Sequence, residues 1–177
     1  MPLDILVTGF GPFGGFGENP SQALAERCGL PYEVLEVSFR AVDAFVDRIA
    51  AEPPDRILLM GVAGGAARLR IEWVAQNRVG THPDVRGEVY GPGPIDPRRP
   101  PNLAATLWPH EPFGKPCELW EPSVDAGTYL CNYAFFRALE ALPDTRTGFL
   151  HVPPTDALPL DAQLAALGRV LEALRSS

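Results

Sequence analysis

The chain has 177 residues and a formal net charge of −7, and hydrophobic residues make up 46% of it. This length fits one domain, and the hydrophobic fraction is too high for a disordered chain. The acidic charge argues against a nucleic-acid-binding protein, because phosphate backbones demand a basic surface. We therefore expect residues 1–177 to form a single domain without a nucleic-acid partner.

No segment has the sequence pattern of a membrane span, an export signal or a metal site. The longest apolar stretch, Ile57 to Ala67, falls short of the roughly 20 residues that a membrane helix needs. The N-terminal residues lack the basic segment that opens a signal peptide. Three cysteines cannot all pair, and Cys28, Cys117 and Cys131 do not have metal-ligand spacing. We expect a soluble, cytoplasmic protein with no membrane contact, no metal and no cofactor.

Hydrophobic patterning predicts strands and helices that alternate along the chain. The predicted strands span residues 3–8, 34–37, 56–60, 69–75, 117–120 and 147–152. One predicted helix starts near residues 19–21 and ends at residue 29. The other predicted helices span residues 42–51, 130–142 and 160–175. This alternation favours a three-layer α/β domain.

Proline is unusually frequent, with 20 residues, and half of them lie between Pro83 and Pro122. Proline disrupts helix interiors and central strands, so this segment cannot be mainly either. We interpret it as an ordered loop with one short helical piece near residues 103–107.

A glycine-rich loop follows the first predicted strand. Residues Gly9 to Gly14 match the dinucleotide fingerprint G-x-G-x-x-G. However, that fingerprint needs a helix that opens at the glycines, whereas here the helix begins near Ser21 and Pro12 lacks an N–H group. Three phenylalanines recur at every third position of the loop: Phe10, Phe13 and Phe16. Their rings are expected either to fill the core or to line an apolar ligand pocket.

Three further side chains are candidates for catalysis. Cys131 follows a glycine turn at a predicted helix N-terminus, where the helix dipole stabilises a thiolate. His151 ends a strand, and strand ends line the ligand crevice of α/β sheets. Glu72 is a charge inside an apolar strand, so it either faces solvent or has a buried partner. The three form a plausible triad, although a buried structural cysteine and a structural histidine remain open alternatives.

Four motifs resemble those of the pyroglutamyl peptidase I family, also called the pyrrolidone-carboxylate peptidases. The resembling segments occur in the family's order and span nearly the whole chain: 9–15 with 19–21, 61–65 with 72–77, 123–132, and 149–153. The resemblance implies an α/β/α sandwich around a mixed, mostly parallel sheet, often assembled as a dimer or tetramer. It also implies a cysteine peptidase that removes N-terminal pyroglutamate from small peptides with a blocked N-terminus.

The resemblance assigns roles to the candidate residues. It implies that Cys131 is the nucleophile, that His151 is the general base and acid, and that Glu72 orients His151. Phe10, Phe13 and Tyr129 match positions near the pocket for the pyroglutamyl ring, and the spacing of the loop adds Phe16 to that pocket.

The chain departs from the family pattern at two places near the site. The family reads Gly-Gln-Ala-Gly-Gly-Arg where this chain has Val62 and Ala66 in place of the glutamine and arginine. The family arginine of the next motif is replaced in the region of Thr81 and His82. One alternative is therefore a divergent relative that uses the same triad on another small N-terminal acyl group. A nucleotide-binding protein or a non-catalytic binding protein is the other.

Overall fold

Strands and helices alternate along most of the chain in the computed structural model, which describes residues 4–14 and 17–176. The strands are β1 (Leu6–Phe10), β2 (Tyr32–Leu35), β3 (Arg56–Val62), β4 (Leu69–Glu72), β5 (Val74–Gln76), β6 (Asn102–Ala104), β7 (Trp120–Ser123) and β8 (Arg146–Val152). The helices are α1 (Pro20–Arg27), α2 (Phe39–Ala51), α3 (His110–Phe113), α4 (Leu130–Ala141) and α5 (Leu160–Arg175).

Six strands form the central sheet, in the order β2-β1-β3-β8-β4-β7. Neighbouring strands are parallel throughout except for β4 and β8, which pair antiparallel. The predicted mixed, mostly parallel sheet is therefore confirmed. Strands β3 and β8 occupy its centre, and their nearly continuous burial is typical of strands that are covered on both faces.

Helices cover both faces of this sheet, which confirms the predicted α/β/α sandwich. Alternate residues of β3 show the division, because Ile57 and Leu59 pack with α2 and α4 whereas Leu58 and Met60 pack with α1 and α5. Within the described ranges, no helix combines the length and the apolar composition needed to cross a bilayer.

The glycine-rich loop is held against the start of α1. Asn19 caps this helix by accepting a hydrogen bond from Ser21 N (3.0 Å), and its amide donates to Gly11 O (3.1 Å). Ser21 Oγ in turn accepts from Phe10 N (3.0 Å). At Gly9 a Cβ would overlap the Ser21 backbone, so glycine is needed there for close packing. The first turn of α1 is thus occupied by contacts with the chain's own loop.

Three predicted elements are wrong. The strand predicted at residues 117–120 begins only at its last residue, because Cys117 N donates to Trp120 O (2.8 Å) and closes a turn before β7. Residues 69–75 are not one strand, because β4 joins the central sheet whereas β5 pairs with β6 in a separate two-stranded sheet. The predicted helical piece at residues 103–107 is not helical, because residues 103 and 104 belong to β6 and the residues after them bond to distant segments. Ala105 N donates to Trp73 O (2.9 Å), and Leu107 N donates to Thr147 O (3.1 Å). Pairing with distant strands thus overrides the local preference.

The proline-rich segment is ordered by polar side chains, as predicted for a loop. Asn77 donates to Asp96 O (2.6 Å) and accepts from Asp96 N (2.9 Å). Asp84 accepts from Phe39 N (3.0 Å), at the start of α2, and from Glu88 N (2.9 Å). These bonds satisfy backbone groups that have no place in a sheet or helix.

Candidate active site

Cys131 is the second residue of α4 and lies beside the carboxyl ends of the central strands. The chain enters α4 through a turn in which Gly127 has a φ of 82° and Gly127 N donates to Asp125 Oδ1 (2.9 Å). Asn132 anchors the helix start, because its amide donates to Gln76 O (2.8 Å) and its oxygen accepts from Gln76 N (2.9 Å). The first N–H groups of a helix lack carbonyl partners, so the thiol lies in an electropositive environment.

Strand pairing brings Glu72 and His151 together. In the antiparallel ladder Glu72 pairs with Phe149, so His151, two residues further on, projects on the same face of the sheet. The imidazole Nδ1 lies 2.7 Å from Glu72 Oε1. His151 is 6% exposed and Glu72 is fully buried, so water is almost excluded from this bond.

The imidazole also contacts Cys131, which completes a row of three groups. Burial disfavours the charged imidazolium, but Cys131 and Glu72, through hydrogen bonds and charge, outweigh it and raise the pKa of His151 to about 9. The arrangement therefore favours a protonated imidazole next to the sulfur of Cys131. Such a pair places a proton donor beside a nucleophilic atom.

Glu72 depends on His151 for its charge balance. Its second carboxylate oxygen, Oε2, is buried and has no hydrogen-bond partner among the described residues. Its backbone carbonyl accepts from Trp108 Nε1 (3.0 Å), which fixes the end of β4. A fully buried carboxylate with one partner is costly unless that partner carries a positive charge.

A cleft of about 460 Å³ opens above Cys131 and His151, and Arg70 and Asp125 also line it. A second, apolar cavity of about 20 Å³ adjoins the thiol. Its lining includes the predicted pocket residues Phe10, Phe13 and Tyr129 together with Asn19, Val37, Val62, Leu130 and Cys131. Phe16 lies outside the described residues.

The structure brings the three predicted catalytic residues and three of the four predicted pocket residues together. Tyr129 is fixed by a hydrogen bond from its hydroxyl to Pro83 O (3.0 Å), and the His82 ring packs edge-on against it with a centroid distance of 4.9 Å. Val62, which replaces the family glutamine, lines both the cleft and the apolar cavity.

Arg70 is a residue of the cleft that the sequence interpretation missed. It pairs directly with His151 in the ladder between β4 and β8. The signal was present, because Arg70 and Glu72 are two residues apart in one strand and therefore share a face.

Gly61 leaves the space that the thiol occupies. A Cβ at Gly61 would overlap Cys131 Sγ and would approach Phe149 Cζ at 3.1 Å. Gly61→Ala is expected to turn the thiol away from His151 and to lower kcat/KM of the reaction at Cys131 by about a hundredfold. The matched control is Gly168→Ala, because a Cβ at Gly168 meets no atom within 4 Å. Equal activity of both variants would contradict the assigned contact.

The raised pKa of His151 predicts a pH-dependent stability. A histidine whose pKa rises from 6.5 unfolded to about 9 folded stabilises the protein fully below pH 6.5. That contribution, on the order of a few kcal/mol, is lost as the pH rises through about 9. Urea unfolding near pH 6 and near pH 10 should show that the free energy of unfolding falls more in the wild type than in His151→Gln. An equal fall in both proteins would refute the raised pKa.

Comparisons with known proteins agree with this geometry. The family model for pyroglutamyl peptidase, Peptidase_C15, matches residues 3–166. The pyrrolidone-carboxylate peptidase of Thermococcus onnurineus is 36% identical, and the match covers 85% of this chain and 84% of that protein. The Bacillus subtilis pyrrolidone-carboxylate peptidase is 30% identical, with 99% and 90% covered. The crystal structure of pyrrolidone carboxyl peptidase from Thermus thermophilus matches with a TM-score of 0.82 at 36% identity, and covers 95% of this chain and 98% of that one.

Proposed function

Because this chain belongs to the pyroglutamyl peptidase family, whose model matches residues 3–166, we propose that Cys131, His151 and Glu72 are its catalytic residues. The chain is a cysteine peptidase that removes N-terminal pyroglutamate from peptides. The observation that carries the residue assignment is the continuous row of contacts from Cys131 through His151 to Glu72, at the floor of an open cleft.

The reaction begins with the thiolate of Cys131. This thiolate attacks the carbonyl carbon that joins pyroglutamate to the next residue, and a C–S bond forms as the carbonyl becomes an oxyanion. N–H groups at the start of α4, including that of Cys131, stabilise the oxyanion. Because the helix dipole and the N–H groups are in place before the reaction, no reorganisation is needed at that step.

His151 then acts as the general acid. The imidazolium donates its proton to the leaving nitrogen, the C–N bond breaks, and the pyroglutamyl group remains on sulfur as a thioester. A water molecule gives a proton to neutral His151 and attacks the thioester, which releases pyroglutamate and regenerates the thiolate with the imidazolium. Glu72 holds Nδ1 throughout, so Nε2 is the atom that exchanges the proton.

The pyroglutamyl ring is assigned to the part of the cleft that adjoins the apolar cavity beside the thiol, because Phe13, Val62 and Tyr129 line both. The cavity itself, at about 20 Å³, has room for no more than about one water molecule. Phe10 lines the cavity, and Phe16 of the same loop remains part of the proposed pocket. A neutral lactam between aromatic faces needs no charged partner. Val62 contributes no hydrogen bond where the family has glutamine, so ring selectivity here rests on shape and on backbone groups.

A substrate panel tests this function and separates it from that of a divergent acyl-group hydrolase. The wild type is expected to release aminomethylcoumarin from the pyroglutamyl amide at least about tenfold faster than from the prolyl or acetylalanyl amides, because only pyroglutamyl has a neutral ring with a lactam carbonyl. Faster release from acetylalanyl amide would favour the divergent hydrolase. No release from the pyroglutamyl amide would overturn the proposal.

The remaining proposals concern assembly and compartment. We propose that residues 1–177 form one catalytic domain that assembles as a homo-oligomer, a dimer or tetramer, in the cytoplasm. Support for assembly comes from large apolar side chains that are exposed on the monomer, including Val85, Val89 and Tyr90. Sedimentation analysis of the purified protein and fractionation of the source cells test these two statements.

A further inference from the structure

Arg70 lies level with the catalytic histidine in the cleft. It is the direct ladder partner of His151 across the antiparallel pair of β4 and β8, so the two side chains project from the same face of the sheet. Both side chains line the cleft above the thiol. Arg70 contributes nothing to the mechanism described so far, although it is next to the group that delivers the proton.

The guanidinium of Arg70 is held in place by two long hydrogen bonds, which leave some of its N–H donors without a partner in those bonds. Its Nη2 donates to Gly65 O at 3.2 Å, and its Nε donates to Glu121 Oε1 at 3.3 Å. Both distances are long for charge-assisted bonds, which are ordinarily 2.7–2.9 Å. A guanidinium has five N–H donors, so these contacts leave donors for a ligand in the cleft. The side chain is 31% exposed, so an incoming anion can reach it.

The direction of the bound peptide places its leaving residue beside Arg70. The apolar cavity lies on one side of Cys131, and the part of the cleft that adjoins it, lined by Phe13 and Tyr129, is assigned to the ring. Gly64, Gly65 and Arg70 line the cleft but not that cavity. The leaving nitrogen must lie within hydrogen-bond reach of His151 to receive its proton. The residue that carries this nitrogen therefore starts next to Arg70.

Resting on the proposed function, we propose that Arg70 binds a carboxylate on the first residue of the leaving peptide. In a pyroglutamyl dipeptide the α-carboxylate is separated from the scissile nitrogen by one carbon, and an acidic side chain offers the same chemistry slightly further away. Arginine matches a carboxylate with two parallel hydrogen bonds.

The charges of the cleft support this orientation. Apart from the pair of Cys131 and His151, the charged side chains that line it in the described part of the chain are Arg70, from the sheet, and Asp125, from the loop before α4. Asp125 uses Oδ1 to accept from Gly127 N and repels an anion. A substrate carboxylate is therefore directed to Arg70, and the enzyme selects pyroglutamyl dipeptides and peptides with an acidic second residue.

Two matched pairs of substrates test the proposal. In the first pair, pyroglutamyl-alanine has an α-carboxylate that its amide lacks. In the second pair, pyroglutamyl-glutamate amide has a side-chain carboxylate where pyroglutamyl-glutamine amide has a neutral amide. In at least one pair the wild type is expected to prefer the acid by about threefold to tenfold in kcat/KM, mainly through KM. The pair that shows the preference identifies which carboxylate is bound.

Three variants assign any preference to the guanidinium. Arg70→Gln is expected to abolish the preference, Arg70→Lys to keep part of it, and Glu121→Gln to keep or widen it by freeing Nε. The ratio within a pair cancels general damage to the site. The inference would be overturned if the neutral substrates are cleaved and the ratio of kcat/KM between acidic and neutral substrate is the same in wild type and Arg70→Gln. That result would leave the proposed function standing. Cleavage of none of the four substrates would overturn both.

Discussion

Cys131→Ser is expected to lower kcat for the pyroglutamyl coumarin amide by about a thousandfold or more, equivalent to about 4 kcal/mol of activation free energy. The serine oxygen is nearly isosteric, so the fold and the pocket remain. A hydroxyl, however, loses its proton far less readily than a thiol, so the pair that it forms with His151 stays neutral. The nucleophile is then no longer an anion at rest.

The other two cysteines are matched controls for this variant. Cys28 is partly buried next to α5, and Cys117 is exposed. Cys28→Ser and Cys117→Ser are expected to keep activity within about twofold, because neither side chain lines the cleft. Iodoacetamide should inactivate the wild type and both controls at the same rate. Undiminished turnover by Cys131→Ser would refute the assignment of the nucleophile.

Glu72→Gln is expected to lower kcat by about two to four orders of magnitude with little change in KM. The amide keeps the shape of the side chain and an oxygen that can accept from His151 Nδ1, but it carries no negative charge. The imidazolium is then buried without the charge that stabilises it, so the pKa of His151 should fall. The readout is a steady-state rate together with an NMR titration of the imidazole.

Glu118→Gln is the control for Glu72→Gln, because Glu118 is exposed on the loop before β7. It should leave both the rate and the imidazole titration unchanged. A Glu72→Gln enzyme that loses activity while its imidazole titrates as in the wild type would contradict the electrostatic role given to Glu72. In that case the carboxylate would only hold the strand.

Long periodic segments and strand ends could be predicted from the sequence. The apolar stripe of the terminal helix predicts residues 160–175, which are the bounds of α5 in the structure. Cys131 and His151 could be selected as candidates because a helix start and a strand end are sites where reactive groups meet a ligand. A three-layer α/β domain follows from the alternation of strands and helices, and the structure confirms it.

Pairing between distant segments could not be predicted in the same way. The pattern of residues 69–75 predicts a single strand. The chain nevertheless leaves the central sheet at Trp73, whose N–H still bonds to Ser123 O (2.8 Å) while its carbonyl accepts from Ala105 N (2.9 Å). Nothing in those residues themselves indicates that the first part pairs within the central sheet and the second part pairs with β6. The spacing of Arg70 and Glu72 places both on one face of the strand, but the position of Arg70 directly opposite His151 depends on the antiparallel register of β4 and β8.

The reversed strand β4 also determines when the thiol becomes reactive during folding. Glu72 and His151 are 79 positions apart in the chain, and they meet only after β8 has inserted between β3 and β4 at the middle of the sheet. Insertion of this strand closes a long loop, which is a slow, entropically costly event. An incompletely folded chain therefore carries three cysteines of ordinary reactivity. The nucleophilicity of Cys131 therefore depends on the docking of β8 between β3 and β4.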